Sequence, residues 1–268
     1  TKASADGRLL AYLSITNGGS LNADSLTVAS DYTSKAEAEV TPGAFRQGVD
    51  ISALEVTYNS AEAESSLSAD AYVSNNGRLT VNKDLSVTVN GTAVSSADAK
   101  TAAFTAGILS LSANHATAVM ANSQMAYFIG SGMTSVGGML KVESTFGILA
   151  GSTETAFART GAPGGARNES GQMFSLIGGK TNTALAETHA VIRAYISGTG
   201  DIYAVGDVKV HAKAEDGAEA DAGVFNSVEA SVSLLELGAN KAVSYAYNTV
   251  EAYAAAHILE SSGSIEIH

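Results

Sequence analysis

The sequence predicts an all-β chain: a wide, flattened, right-handed parallel β-solenoid of roughly 60-residue repeats, in four to five coils. Three observations predict it. First, a tripeptide Ala-Tyr-apolar recurs as Ala11-Tyr12-Leu13, Ala71-Tyr72-Val73, Ala126-Tyr127-Phe128 and Ala194-Tyr195-Ile196, with a degenerate copy at Ala256-His257-Ile258. Its alanines are 60, 55, 68 and 62 residues apart. Second, another anchor follows each of the first four copies, 15, 14, 14 and 14 residues after the Ala: Leu26-Thr27-Val28, Leu85-Ser86-Val87, Leu140-Lys141-Val142 and Val208-Lys209-Val210. A fixed offset inside a longer period marks a repeat architecture. Third, apolar and polar residues alternate around both anchors with a period of two, the strand signal.

The anchors divide one array, residues 1–268, into approximate repeats 11–70, 71–125, 126–193 and 194–255 and a partial repeat 256–268. Each repeat reads as four pieces. A short piece runs from Ala-Tyr to a turn such as Ser74-Asn75-Asn76-Gly77. A second short piece follows, for example Arg78-Leu79-Thr80-Val81 or Asp201-Ile202-Tyr203-Ala204. Two long strands come next. After the Leu-x-Val anchor, Leu26, Val28, Ser30, Tyr32, Ser34, Ala36, Ala38 and Val40 share a face opposite Thr27, Asp31, Thr33, Lys35, Glu37 and Glu39. Before the Ala-Tyr anchor, Asn59, Ala61, Ala63, Ser65, Leu67, Ala69, Ala71 and Val73 oppose Tyr58, Glu62, Glu64, Asp70 and Tyr72. The copy at Leu140 is the weakest, because Glu154 falls on the apolar parity. Helix propensity alone would admit helices over Ala184–Ile196 and Ala242–Glu260, since Ala is the best helix former. Alternation held in four copies, with Ser, Thr, Val and Gly in the flanks, favours strands. Small inward residues would let two sheets approach closely. A second geometry, two coils of about 30 residues per repeat, draws on the echo of Leu26-Thr27-Val28 in Leu54-Glu55-Val56. The connection between the long strands varies in length. Its Gly-rich form, Arg159–Gln172, is expected to protrude and to account for the 68-residue repeat.

This cadence of Gly-x-Leu, Leu-x-Val, Ala-x-Ala, a variable Gly-rich connection and Ala-Tyr-Ile resembles the repeat regions of very large exported bacterial filamentous adhesins, the leukotoxin-type and filamentous-haemagglutinin-type exoproteins. The resemblance covers almost the whole chain and implies export, a β-solenoid shaft and a cell-surface or filament role. The chain departs from the haemagglutinin type in its longer repeat.

Composition narrows the function classes. The net charge is −12, from 15 basic and 27 acidic residues, which argues against nucleic acid and anionic membrane surfaces. There is no cysteine, hence no disulfide frame or thiolate zinc site. No apolar run approaches the ~18 residues of a membrane helix. Gly179-Lys180-Thr181 lacks a phosphate-loop glycine, because position 174 is Phe. Gly130-Ser131-Gly132 and Gly198-Thr199-Gly200 read as turns, and Gly198–Tyr203 is a single, unrepeated likeness to a calcium β-roll turn. His115, His189, His211, His257 and His268 show no ligand spacing. No catalytic, cofactor or metal site is therefore expected. The one surface feature singled out is an outward row, Tyr12, Tyr72, Tyr127 and Tyr195, ending at His257. Such a ladder stabilises a stack by itself, and as an aromatic strip it would contact a glycan or protein.

The expected function is that of a non-enzymatic structural or adhesive extracellular filament segment. It would continue in a longer chain or associate with itself head to tail through the stub Gly263–His268, and would meet a host or glycan surface. The competing class is a polysaccharide lyase or hydrolase on the same fold, which needs clustered carboxylates in an outer groove.

Overall fold

The computed structural model describes residues 1–40, 52–100, 104–161, 172–215, 217–222 and 232–268. Among these there is no helix, and none is long and apolar enough to cross a membrane. The strands follow the repeats, grouped below from the long strand that precedes each Ala-Tyr anchor and not from the anchor itself. The first contains β1 (Lys2–Ile15), β2 (Ser20–Ala23) and β3 (Leu26–Val40), and the second β4 (Ser52–Asn75), β5 (Arg78–Val81) and β6 (Leu85–Lys100). The third contains β7 (Phe104–Met120), β8 (Ser123–Gly130), β9 (Met133–Val136), β10 (Leu140–Ile148) and β11 (Ala156–Gly161). The fourth contains β12 (Gln172–Thr188), β13 (Val191–Gly198), β14 (Asp201–Ala204), β15 (Val208–Ala214) and β16 (Ala218–Ala222). The last contains β17 (Val232–Ala246), β18 (Thr249–Ala255), β19 (Ile258–Ser261) and β20 (Ile265–Ile267). The two stretches that helix propensity would have claimed are strands. The short pieces read from the sequence at Arg78 and Asp201 are β5 and β14.

All the pairings are parallel, and they form three sheets that the chain visits in turn. The first sheet runs β17-β12-β7-β4-β8-β13-β18, with β1 on β4. The second, a five-stranded sheet, runs β19-β14-β9-β5-β2. The third runs β16-β11-β6-β10-β15-β20, with β3 on β6. Each strand pairs with its counterpart one repeat away. Leu26, Leu85, Leu140, Val208 and Ile265 fall in one column. Leu54 pairs with Leu109 in the first sheet and not with Leu26 in the third, so among the described residues no strand pairs in a 30-residue register.

The Ala column contains Ala11, Ala71, Ala126, Ala194 and then Ala252. This corrects the fifth anchor. The copy at Ala252-Tyr253-Ala254 pairs with Ala194-Tyr195-Ile196, whereas Ala256 and His257 lie in the turn after β18. The reason is length: the last repeat pairs at 58 residues, because Val191 meets Thr249.

The 68-residue spacing has two sources. Leu140 pairs with Leu85 at 55, Ala156 with Ser95 at 61 and Gln172 with Phe104 at 68. Six residues (61 − 55) therefore enter between β10 and β11 and seven (68 − 61) after β11. The Gly-rich insert falls largely at 162–171, outside the described residues. Glu154 belongs to the turn between β10 and β11, which removes the parity conflict, and a side chain at Gly217 would meet its carboxylate.

The interior follows the alternation. In β3 every second residue from Val28 to Ala38 is buried. Small side chains let the first and third sheets close tightly. The Ser95 hydroxyl donates to the backbone carbonyl of Ala63 on the facing sheet at 2.8 Å. A hydroxyl one carbon from its own backbone reaches that far only if the sheets lie closer than the roughly 10 Å of ordinary stacked sheets. Ser34 and Ser65 meet across the same gap at 2.6 Å. Larger residues sit where a partner is missing. Tyr32, Gly91, Phe146 and Ala214 share one column, so each ring uses space left by a neighbour with little or no side chain. A Cβ on Gly91 would lie 2.5 Å from Cε1 of Tyr32. The Tyr32 hydroxyl donates to Gln124 Oε1 at 3.1 Å, and Gln124 Nε2 donates to Ser144 Oγ at 3.0 Å. Burial pushes the Tyr32 phenol pKa well up. This neutral network ties the two sheets together with its polar atoms partnered, as a buried polar cluster requires.

At the turns, Gly130 (φ 151°) and Gly198 (φ 137°) stack over Asn75, and a Cβ on Gly130 would collide with the Asn75 carbonyl. Asn75 Nδ2 donates to Thr134 Oγ1 one repeat on, at 2.9 Å.

Candidate functional surfaces

Register turns each outward position into a row. The predicted row of Tyr12, Tyr72, Tyr127 and Tyr195 is a face-to-face ladder, and Tyr253 is its fifth ring. Successive centroids are 5.3, 4.7, 5.0 and 4.9 Å apart, with interplanar angles of 15°, 6°, 2° and 5°. The row does not end at His257, whose Nδ1 pairs with Asp201 Oδ1 at 2.9 Å. Stacking covers both faces of each inner ring, so mainly ring edges and hydroxyls reach solvent. Tyr12, at the outer end, is 59% exposed. A ligand that stacks on aromatic faces therefore finds a free face at the ends of the ladder and not along it. Burial, followed by the neighbouring Tyr195, Asp70 and Tyr72, pushes the Tyr127 pKa up to about 12, and burial also raises that of Tyr195. These phenols are neutral at physiological pH, which removes charge repulsion from the stack. Beside them Asp70 is buried next to Arg8, with N···O of 3.6 Å, and burial lifts its carboxyl pKa above the usual range.

A second ladder lies on the inner face. Asn59 Nδ2 donates to Asn114 Oδ1 at 2.9 Å, Asn114 to Asn182 at 2.8 Å and Asn182 to Asn240 at 2.9 Å. Each inner amide gives one bond and takes one, the side-chain analogue of the backbone ladder. The sequence places Asn59 on the apolar parity, and the spacings 55, 68 and 58 to its partners were the available signal.

The third sheet carries a row the sequence reading did not assemble: Asp31, Asn90, Thr145 and Lys213. Each lies five residues after its Leu-x-Val or Val-x-Val anchor, so the fixed offset would have found it. Asn90 Nδ2 donates to Asp31 Oδ1 at 2.7 Å, and Thr145 Oγ1 donates to Asn90 Oδ1 at 2.7 Å. In the next row the Thr33 and Thr92 hydroxyls meet at 3.3 Å. Together with Gly91, Gly147 and Glu215 these side chains line a surface cavity of about 540 Å³. The Lys213 ammonium pairs with Glu215 and holds that carboxyl below the usual carboxylate range.

Three of the other histidines sit in polar pairs, and the ring of His268 meets that of His211 edge-on. His189 lies 3.2 Å from Glu187, His211 lies 3.4 Å from Glu143, and His115 bonds Thr117 at 2.8 Å. Among the described residues no group of three or more His, Cys, Asp or Glu is arranged to hold a metal ion. No family model, curated protein or solved structure matches the chain.

Proposed function

We propose that the chain is a segment of a non-enzymatic extracellular filament, structural or adhesive, of the kind the leukotoxin-type and haemagglutinin-type adhesins build. Its three parallel sheets are the walls of a wide, flattened, right-handed β-solenoid in which one ~60-residue repeat forms one coil. The observation that carries the reading is the pair of side-chain ladders. Tyr12 to Tyr253 outside and Asn59 to Asn240 inside stack identical residues across the repeats. Identical side chains in register stiffen a stack along its axis. Stiffness and length serve a shaft better than they serve a pocket.

β1–β3 and β17–β20 each pair along one edge only. Unpaired strand edges are templates for further strands, and the partner proposed for them is more of the same array, either covalently continuous or a second copy. The contact made by such a shaft is a host or glycan surface outside the cell. A glycosidase on the same fold would need a carboxylic acid kept protonated near neutral pH. Lys213 pulls Glu215 in the opposite direction, so the cavity beside them does not favour that alternative.

Electron microscopy of the native material tests the reading, combined with its mass under denaturing conditions. Rods whose axial repeat is the strand spacing of ~4.8 Å support it. A compact globule in the native material contradicts it.

A further inference from the structure

The geometry points to the cavity on the outer face of the third sheet as a binding groove for a short stretch of uncharged polysaccharide. The groove lies where the regular sheet is interrupted. β6 runs unbroken from Leu85 to Lys100, whereas its neighbour leaves the sheet after Ile148 and returns at Ala156, and the strand beyond breaks between Ala214 and Ala218. The interruption opens a depression of about 540 Å³. Sites for small organic ligands span on the order of 300–1,000 Å³.

The lining has two parts. Asp31, Asn90 and Thr145 form a hydrogen-bonded row whose members still have capacity: Asn90 uses one of its two amide hydrogens on Asp31, and the carboxylate accepts at one oxygen. Both orientations of the Asn90 amide are not equivalent, because Asp31 takes its N–H and Thr145 occupies its oxygen. The donor and acceptor positions are therefore fixed before a ligand arrives, which reduces the ordering cost of binding. Between the polar side chains Gly91 and Gly147 bring no side chain, which leaves room for a ligand above Tyr32 and Phe146, whose own side chains are buried. A pyranose matches the polar row, with hydroxyls that donate and accept around its rim, and its compact ring fits the space that the glycines leave. The row crosses four strands, about 14 Å at ~4.8 Å per strand, and offers a polar group at each. An extended glycan lying along it would meet Asp31, Asn90, Thr145 and Lys213 in turn.

Charge selects among glycans. The chain carries −12 overall, Asp31 adds a local carboxylate, and Lys213 is already matched by Glu215. Polyanionic glycans are disfavoured. The site stands apart from the filament reading, since it needs only the local register of β3, β6, β10 and β15.

The test is a titration of the ¹⁵N-labelled full chain with cellotetraose, chitotetraose, maltotetraose and xylotetraose at millimolar concentrations, read by amide chemical shifts. At least one sugar is expected to shift amides around Asp31–Thr33, Asn90–Thr92 and Thr145–Gly147. Asn90→Ala and Asp31→Ala should each weaken that binding at least tenfold, and Lys35→Ala, on the same strand beyond the groove, should leave it unchanged. Both positions are exposed, and an unchanged thermal midpoint for each variant confirms that it folds. No shift with any of the sugars overturns the proposal. So do shifts confined to the tyrosine ladder or the outer strands, and so does binding that both variants retain.

Discussion

Gly91 is the position where the packing rule of this interior is most exposed to test. Adding one methyl group there, Gly91→Ala, would place a Cβ 2.5 Å from Tyr32 Cε1 and 2.5 Å from Gln124 Oε1. Carbon atoms pack at about 3.5–4.0 Å, so the Tyr32 ring would have to withdraw by about 1 Å, in a layer where the facing sheet leaves little room. Overpacking of this kind costs about 1–3 kcal/mol, against about 0.5–1 kcal/mol gained by replacing a mid-strand glycine. The expected net loss is about 1–2 kcal/mol. Tyr32→Ala alone should lose about 3–5 kcal/mol through its cavity, and it orphans the amide oxygen of Gln124. In the double variant the clash with the ring is gone, and only the Gln124 amide, released from Tyr32 and able to swing aside, still faces the new Cβ. The two effects should therefore be non-additive, with the double variant more stable than their sum by about 1–2 kcal/mol. Urea unfolding followed by far-UV circular dichroism, at constant slope, reads all four corners of the cycle. Additivity within about 0.5 kcal/mol, or a Gly91→Ala protein more stable than the parent, would refute the shared-space argument.

Asn114→Ala should cost about 2–4 kcal/mol in the same assay, because it removes both ladder bonds of a buried amide, whereas Asn240→Ala, at the exposed end, should cost far less. Tyr127→Leu gives up two ring stacks at about 0.5–1.5 kcal/mol each and Tyr12→Leu only one, so thermal unfolding should rank Tyr127→Leu as the more damaging. The Asp207 carboxylate accepts the Ser264 amide at 2.9 Å, and that bond holds its pKa below the usual value. A depressed folded pKa means the contribution is complete above the ordinary Asp value of about 3.9 and disappears as the pH falls through the folded one. Melting temperature measured against pH should therefore drop less steeply in acid for Asp207→Asn than for the parent.

Much of the architecture was legible because a period-two pattern and a long repeat are both properties of the chain itself. The column from Leu26 to Val208 and the strands at Arg78 and Asp201 could be read directly, since the anchors differ little between copies. The fifth anchor was misplaced for a physical reason. Ala256-His257-Ile258 and Ala252-Tyr253-Ala254 both fit an Ala-aromatic-apolar pattern, and only hydrogen-bonded register distinguishes a residue in the strand from one in the turn four residues later. The turn between β10 and β11 was hidden similarly, because six extra residues preserve parity and leave the alternation almost undisturbed. The groove was overlooked for another reason, although the common offset of five residues from the anchors encodes its row. Asp31, Asn90 and Thr145 are unremarkable outward residues singly, and they become a row only when the repeats are stacked.

Stacking at one repeat of separation is the claim on which the ladders, the groove and the filament all depend. The natural absence of cysteine makes it directly measurable by disulfide trapping. Adjacent parallel strands place paired Cα atoms at about 4.8 Å, within the 4.4–6.8 Å that a disulfide spans. Cysteines introduced at the outward pairs Thr27 with Ser86 and Ser86 with Lys141 should cross-link on mild oxidation. A pair in the alternative 30-residue register, Lys35 with Ser60, lies on different sheets and should remain reduced. Cross-linking of Lys35 with Ser60, with both repeat-spaced pairs left free, would contradict the stacked register.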